Sequence, residues 1–253
     1  MANEPRYEVS VSDDRALEGT LLVGLSNFGL AGLTATDHLL MQLEFEQVGH
    51  VRSRNLPTVT PFEDGTPRRP MRLYAAADHD ICVLVSEVVV PVWAAAAFAD
   101  AVENLVASSE LEEIALLHGV PFPHGPDEHA VFFVATPEYR ERRLEKSEFE
   151  PLRGGVLDGV PGEFTNRSLD GGLPPLGTIV TPIHLPGPDF DAAVRFLDFL
   201  REGYGLEVDD RQLRERSESM SRYYGELADR IETLESEGGS SEERQLPMDR
   251  MFM

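Results

Sequence analysis

The segment ICVLVSEVVV, residues 81–90, constrains this chain more than any other. It is β-branched and almost continuously apolar. A strand of that kind is buried on both faces, as in the interior of a parallel sheet, not half-exposed with alternating polarity. The chain then runs directly into PVWAAAAFADAVENLVASS, an alanine-rich helix with Pro91 near its start, where the missing N–H costs nothing. A strand buried on both faces, leading into a helix, needs cover above and below the sheet. The expectation is therefore a three-layer α/β sandwich with a mainly parallel sheet.

Other segments extend this pattern. TLLVGL, residues 20–25, reads as a buried strand, and SNFGLAGLTATDHLLMQL after it as a glycine-containing turn and a helix. EEIALLHGV and AVFFVAT are further strands, and PEYRERRLEKSEF is helical. GGVLDGVPGEFTNRSLDGG reads as a turn, a short strand and a turn that opens a helix. LGTIVTPIHL is a strand. DFDAAVRFLDFLREGYG is an amphipathic helix with Asp189 as N-cap and Gly203 or Gly205 as its stop. Strands alternating with helices support an α/β domain over residues 1–205.

After that the character changes. In residues 206–236, Leu206, Leu213, Met220, Leu227 and Leu234 recur at a seven-residue interval. Tyr224 and Ile231, with the polar Ser217, fill the complementary seam position. A stripe this narrow favours helix–helix pairing between chains. The alternative is a terminal helix lying on its own domain, which would use a wider apolar face. Residues 237–253 begin GGSSEERQ, a flexible linker composition, and end with the apolar Met251, Phe252 and Met253.

Composition excludes some partners. Asp and Glu number 45 against 22 Lys and Arg, a formal charge of -23, so nucleic acid and anionic membranes are poor partners for this surface. Lys146 is the sole lysine. An acidic surface almost without lysine suggests a salt-filled cytoplasm, as in haloarchaea. A GC-rich genome explains the missing lysine but not the acidity. Cys82 is the one cysteine, so no intrachain disulfide is possible. The opening MANEPRYEVS has no basic stretch leading to an apolar one, and the longest apolar run, Val88 to Ala99, is too short to span a bilayer and contains Pro91. The reading is a cytoplasmic protein.

Two clusters could carry ligand chemistry. Gly24, Asn27, Gly29 and Gly32 lie between a strand and a helix, where glycines let backbone N–H groups approach an anion. The spacing matches neither nucleotide-binding fingerprint, and tight packing of helix on sheet explains the glycines as well. Glu87 interrupts the most apolar strand near its carboxyl end. His118, His124 and His129 surround Asp127 and Glu128, but no metal-ligand spacing emerges. No nucleophile, acid and base form a set, so no catalytic residue and no cofactor is assigned.

The segments GLSNFGLAGLTATDHL, LPTVTPFEDGTPRRPMRLY, GGVLDGVPGEF and PDFDAAVRFLDFLREGYGLEVDDRQL, in that order, resemble the proteasome assembly chaperone family in its archaeal and actinobacterial single-domain form. The likeness covers about residues 18–216. It implies a phosphorylase/hydrolase-like α/β sandwich without general catalytic activity. It also implies a homo-oligomer, expected to be a trimer or tetramer, and binding to proteasome α subunits. Proteasome-docking proteins end in a hydrophobic residue, tyrosine and any residue; here Met251, Phe252 and Met253 hold those places. Phe252 lacks the phenol hydroxyl, worth about 0.5–1.5 kcal/mol in a hydrogen bond. The aromatic anchor remains, at roughly 1.5–3 kcal/mol on burial.

Overall fold

The structure is a computed structural model, and it describes residues 4–12, 17–76, 78–122, 125, 128–184, 187–219 and 222. The chain divides into two compact units, Met1–Arg214 and Glu215–Met253.

The first unit is built on a nine-stranded sheet. The strands are β1 (Arg6–Val11), β2 (Glu18–Leu25), β3 (Phe45–Arg54), β6 (Met71–Ala76), β7 (Ile81–Ser86), β8 (Glu110–Val120), β9 (Phe132–Ala135), β10 (Glu150–Pro151) and β11 (Leu176–Pro182). β4 (Phe62–Glu63) and β5 (Thr66–Pro67) form a separate hairpin. Across the large sheet the order is β1-β3-β6-β7-β2-β8-β11-β9-β10.

Its centre, β7-β2-β8-β11, is parallel throughout. β7 and β11 are buried along their whole length, and β2 over most of its own, as continuous apolar strands require. Antiparallel pairs flank this centre: β6 on β7 and β3 on β6 at one side, β9 on β11 at the other. β1, β3 and β6 carry charged and polar residues between apolar ones, and the sequence reading did not find them. The expected strand within GGVLDGVPGEF is absent: β10 lies earlier, and residues 152–158 are irregular. The strand expected through Val90 stops at Ser86.

Helices cover both faces. α1 (Ala31–Gln42) and α5 (Phe190–Tyr204) pack against each other and share one core cluster, with Leu39, Val83, Ile179, Phe196 and Phe199. α2 (Ala95–Ala107) and α4 (Gly159–Leu169) pair over the opposite face, where Phe98 meets Tyr7 edge-on at 5.2 Å and stacks on Phe164 at 5.9 Å. A short α3 (Pro137–Tyr139) continues into a wide turn at Arg140–Leu144. The Asp189 side chain caps α5 by accepting from the Ala192 N–H at 2.8 Å, and Gly205 ends the helix with φ 66°.

A further helix runs over residues 211–219. Leu206 and Leu213 are buried at 0% and 3% exposure, within the α1/α5 core cluster. These two positions of the heptad are therefore filled by the chain's own core, not by another chain. The seven-residue spacing does not follow one continuous helix here: Leu206 and the buried Val208 lie in the irregular stretch before the helix begins at residue 211. Met220, Tyr224, Leu227, Ile231 and Leu234 lie outside the described residues, as do Met251, Phe252 and Met253.

Candidate functional site

β7, β2 and β8 end side by side, and their helices leave in opposite directions, α1 to one face and α2 to the other. Ligand sites in open α/β sheets form at such a point. The stretch from the end of β2 to the start of α1 carries four of the residues singled out in the sequence: Gly24, Asn27, Gly29 and Gly32.

The glycines serve packing. A Cβ at Gly24 would lie 2.1 Å from Thr36 Oγ1, and one at Gly32 would lie 2.6 Å from the Leu117 carbonyl oxygen. Gly29 has φ 69° and sits against Ile183, while its carbonyl accepts from the Asp189 N–H at 2.7 Å. The turn thus holds α1 close to β8 and ties it to the start of α5. The following Leu30 also has a left-handed backbone, φ 49°.

Asn27 points elsewhere. Its Nδ2 lies 3.1 Å from Nδ1 of His118, at the end of β8. With the amide donating, Nδ1 is the acceptor and the ring is neutral, carrying its hydrogen on Nε2. Burial pushes the His118 pKa down, against the smaller opposing pull of Asp158. The ring therefore stays neutral at ordinary pH. His118 does not converge with the other histidines of its segment. His129 lies 3.6 Å from Asp191 and edge-on to His184, and His124 is outside the described residues. No cluster of three His, Cys, Asp or Glu side chains able to hold a metal ion occurs among the described residues. Cys82 is buried mid-strand, and burial pushes its thiol up to about 11.

Glu87 does not join the glycine turn. It accepts from Arg68 Nη2 at 2.9 Å and from Arg72 Nη1, while Arg72 also donates to Tyr74 Oη at 2.8 Å. Asp37 of α1 lies 3.9 Å from Arg72. Burial raises the Asp37 pKa to about 6, opposed by the Arg72 charge. Arg72 is nearly buried, so Glu87 is first of all its counter-charge. The sequence marked Glu87 as unusual, but it held no signal for its partners, since Arg72 arrives from β6 and Arg68 from the connection before it.

Around these groups the loops expose apolar side chains. Phe28 follows β2, and Val89, Val92 and Trp93 follow β7, all more than 60% exposed.

The comparisons with known proteins agree on what this architecture is. The PAC2 family matches residues 21–228. The chain belongs to the PAC2 family. No curated protein matches it. Among solved structures, Pyrococcus furiosus PbaA, an archaeal homolog of proteasome-assembly chaperone, superposes with TM-score 0.77 at 20% identity, over 92% of this chain and 96% of that one. Pyrococcus furiosus PbaB, an archaeal proteasome activator, gives 0.73 at 20% identity, over 88% and 99%. A Thermoplasma acidophilum protein of unknown function gives 0.72 at 21%, over 90% and 93%. These likenesses establish the PAC2 sandwich as the fold.

Proposed function

We propose that this PAC2 protein is a homo-oligomeric proteasome assembly chaperone or activator that docks on the proteasome α ring through Met251, Phe252 and Met253. The observation that carries the reading is the PAC2 match over residues 21–228. The likeness to PbaA and PbaB points the same way. At the strand ends, Thr36, Leu117 and Ile183 fill the space around the glycines that a phosphate would need. The loops there offer Phe28 and Trp93 to solvent, which suits contact with another protein better than turnover of a small substrate.

The rest of the device is read from sequence. Residues from Met220 to Leu234 continue a heptad that clusters chains, residues 237–250 give reach, and the apolar tripeptide inserts. One tail binds weakly because ordering a flexible segment opposes binding. Several tails on one oligomer act at high effective concentration. Apolar insertion draws little on long-range charge, so it persists at high salt.

The test is a titration of archaeal proteasome core particles with the full-length protein and with a Met251–Met253 deletion. Complex formation and peptide hydrolysis are both read. The full-length protein is expected to bind and the deletion to lose binding while keeping its circular dichroism spectrum. Equal binding by the two forms overturns tail docking. A change in hydrolysis on binding marks an activator, and its absence marks an assembly factor.

A further inference from the structure

The chain between β3 and β6 makes an excursion, residues 55–70, that contains the β4–β5 hairpin. Together with the end of β3 it encloses a recess of about 380 Å³. Its lining brings Arg52, Arg68 and Arg69 together with Ser53, Thr58 and Thr60. Three arginines share one recess on a chain whose formal charge is -23.

Charge pairing sets two of them apart. Arg68 is engaged by Glu63 and Glu87. Arg167 is held in the same way by Asp100 and Glu103, and Arg201 by Asp198 and Asp210. Arg52 and Arg69 form no ion pair among the described residues. Glu8, the cross-strand neighbour of Arg52, pairs instead with Arg54 at 3.0 Å. Both free guanidinium groups are felt nearby: after burial, Arg69 and Arg52 are what hold the His50 pKa down. Arg68 Nε and His50 Nε2 are, moreover, buried polar atoms without a hydrogen-bond partner.

We infer that this recess is a binding site for a phosphoryl oxyanion, held between Arg52 and Arg69 with the Thr58 and Thr60 hydroxyls donating to its oxygens. Two like charges facing one recess repel each other unless an anion lies between them. A dianion balances both, whereas a single carboxylate leaves one positive charge over. Guanidinium groups fork onto phosphoryl oxygens, and hydroxyl donors fill the remaining acceptor positions. The volume lies at the low end of the range for small-ligand sites and fits a phosphate ester or pyrophosphate. Neither the tail nor the terminal helix takes part, so this site stands or falls independently of proteasome docking.

The experiment is calorimetric titration of the full-length protein at the lowest KCl concentration where its thermal transition is cooperative. The probes are inorganic pyrophosphate and adenosine monophosphate. Saturable binding of either is expected; tighter pyrophosphate marks an inorganic source, and tighter adenosine monophosphate marks an ester. The double variant Arg52→Gln/Arg69→Gln is expected to bind at least roughly tenfold more weakly, about 1.4 kcal/mol. Arg54→Gln, which removes a neighbouring paired charge outside the recess, is expected to bind as the parent does. All three positions are exposed, and a circular dichroism spectrum checks that each variant folds. The inference is overturned if neither probe binds saturably, if the double variant binds as the parent does, or if Arg54→Gln loses as much.

Discussion

At the scale of single residues, the glycine turn and the Asp37 carboxyl show how closely this sheet end is set. Gly24 leaves no room for a methyl group because Thr36 Oγ1 occupies that space while bonding back to the Gly32 and Leu33 carbonyls, each at 2.9 Å. Gly24→Ala is expected to destabilise the fold by about 1–3 kcal/mol, the usual range for overpacking, read as a lower urea midpoint with an unchanged slope. Asp37 behaves differently. Its pKa is raised from 3.8 to about 6 by burial, so the folded state holds its proton more tightly than the unfolded one. The stability this contributes is present below the unfolded value and is lost as pH rises through about 6. The urea midpoint of Asp37→Asn should therefore gain on that of the parent as pH rises from about 4 to about 7. The side chain is 38% exposed, so solvent screening keeps the gain small. A difference that is flat with pH would show that Asp37 is solvated. The glycines were legible because strand, glycine and helix occur in sequence order. The Asp37–Arg72–Glu87 group was not, because its members come from a helix, a strand and a loop that only the sheet order brings together.

At the scale of elements, the question is where the domain ends. Leu206, Val208 and Leu213 are buried, and Leu213 lies in the first turn of the helix over residues 211–219. A chain ending at residue 205 removes all three from the core, and each buried leucine lost typically costs 2–5 kcal/mol. It is expected to lose its cooperative transition or unfold at a much lower urea concentration. A chain ending at residue 214 keeps them and should unfold at the parent midpoint, since the compact unit ends at Arg214. If both truncations behave alike, the helix start does not belong to the domain. The buried central strands and the alternating helices were readable because burial on both faces leaves a continuous apolar run. β1, β3 and β6 were not, because flanking antiparallel strands mix charged with apolar residues. The role of Leu206 and Leu213 was hidden for another reason. A heptad records that a face is apolar, but not whether the partner is the same chain or a second one.

At the scale of the whole molecule, two electrostatic effects oppose each other as salt is added. Ion pairs such as Arg167 with Asp100 and Glu103, or Arg201 with Asp198 and Asp210, are partly exposed and weaken as ions screen them. Each exposed pair is worth about 0–1 kcal/mol, so their loss is small. Against it stands the self-repulsion of a chain with formal charge -23, which favours expansion and which the same ions relieve. Acidic side chains exceed basic ones about twofold, 45 to 22, so many carboxylates have no cation to lose. Relief of repulsion should therefore outweigh the weakened pairs. The thermal midpoint is expected to rise as KCl is raised from about 0.1 M towards 2 M, steeply at first and then less as the Debye length falls towards about 3 Å. Most of the rise should be complete by about 1 M if screening is the cause, because little range is left to screen beyond it. A midpoint that falls with salt would mean that the arginine–carboxylate pairs, not the excess carboxylates, dominate the energetics of this surface. A rise that continues undiminished to several molar would instead indicate that excluded salt favours burial of apolar area, an effect that does not depend on net charge.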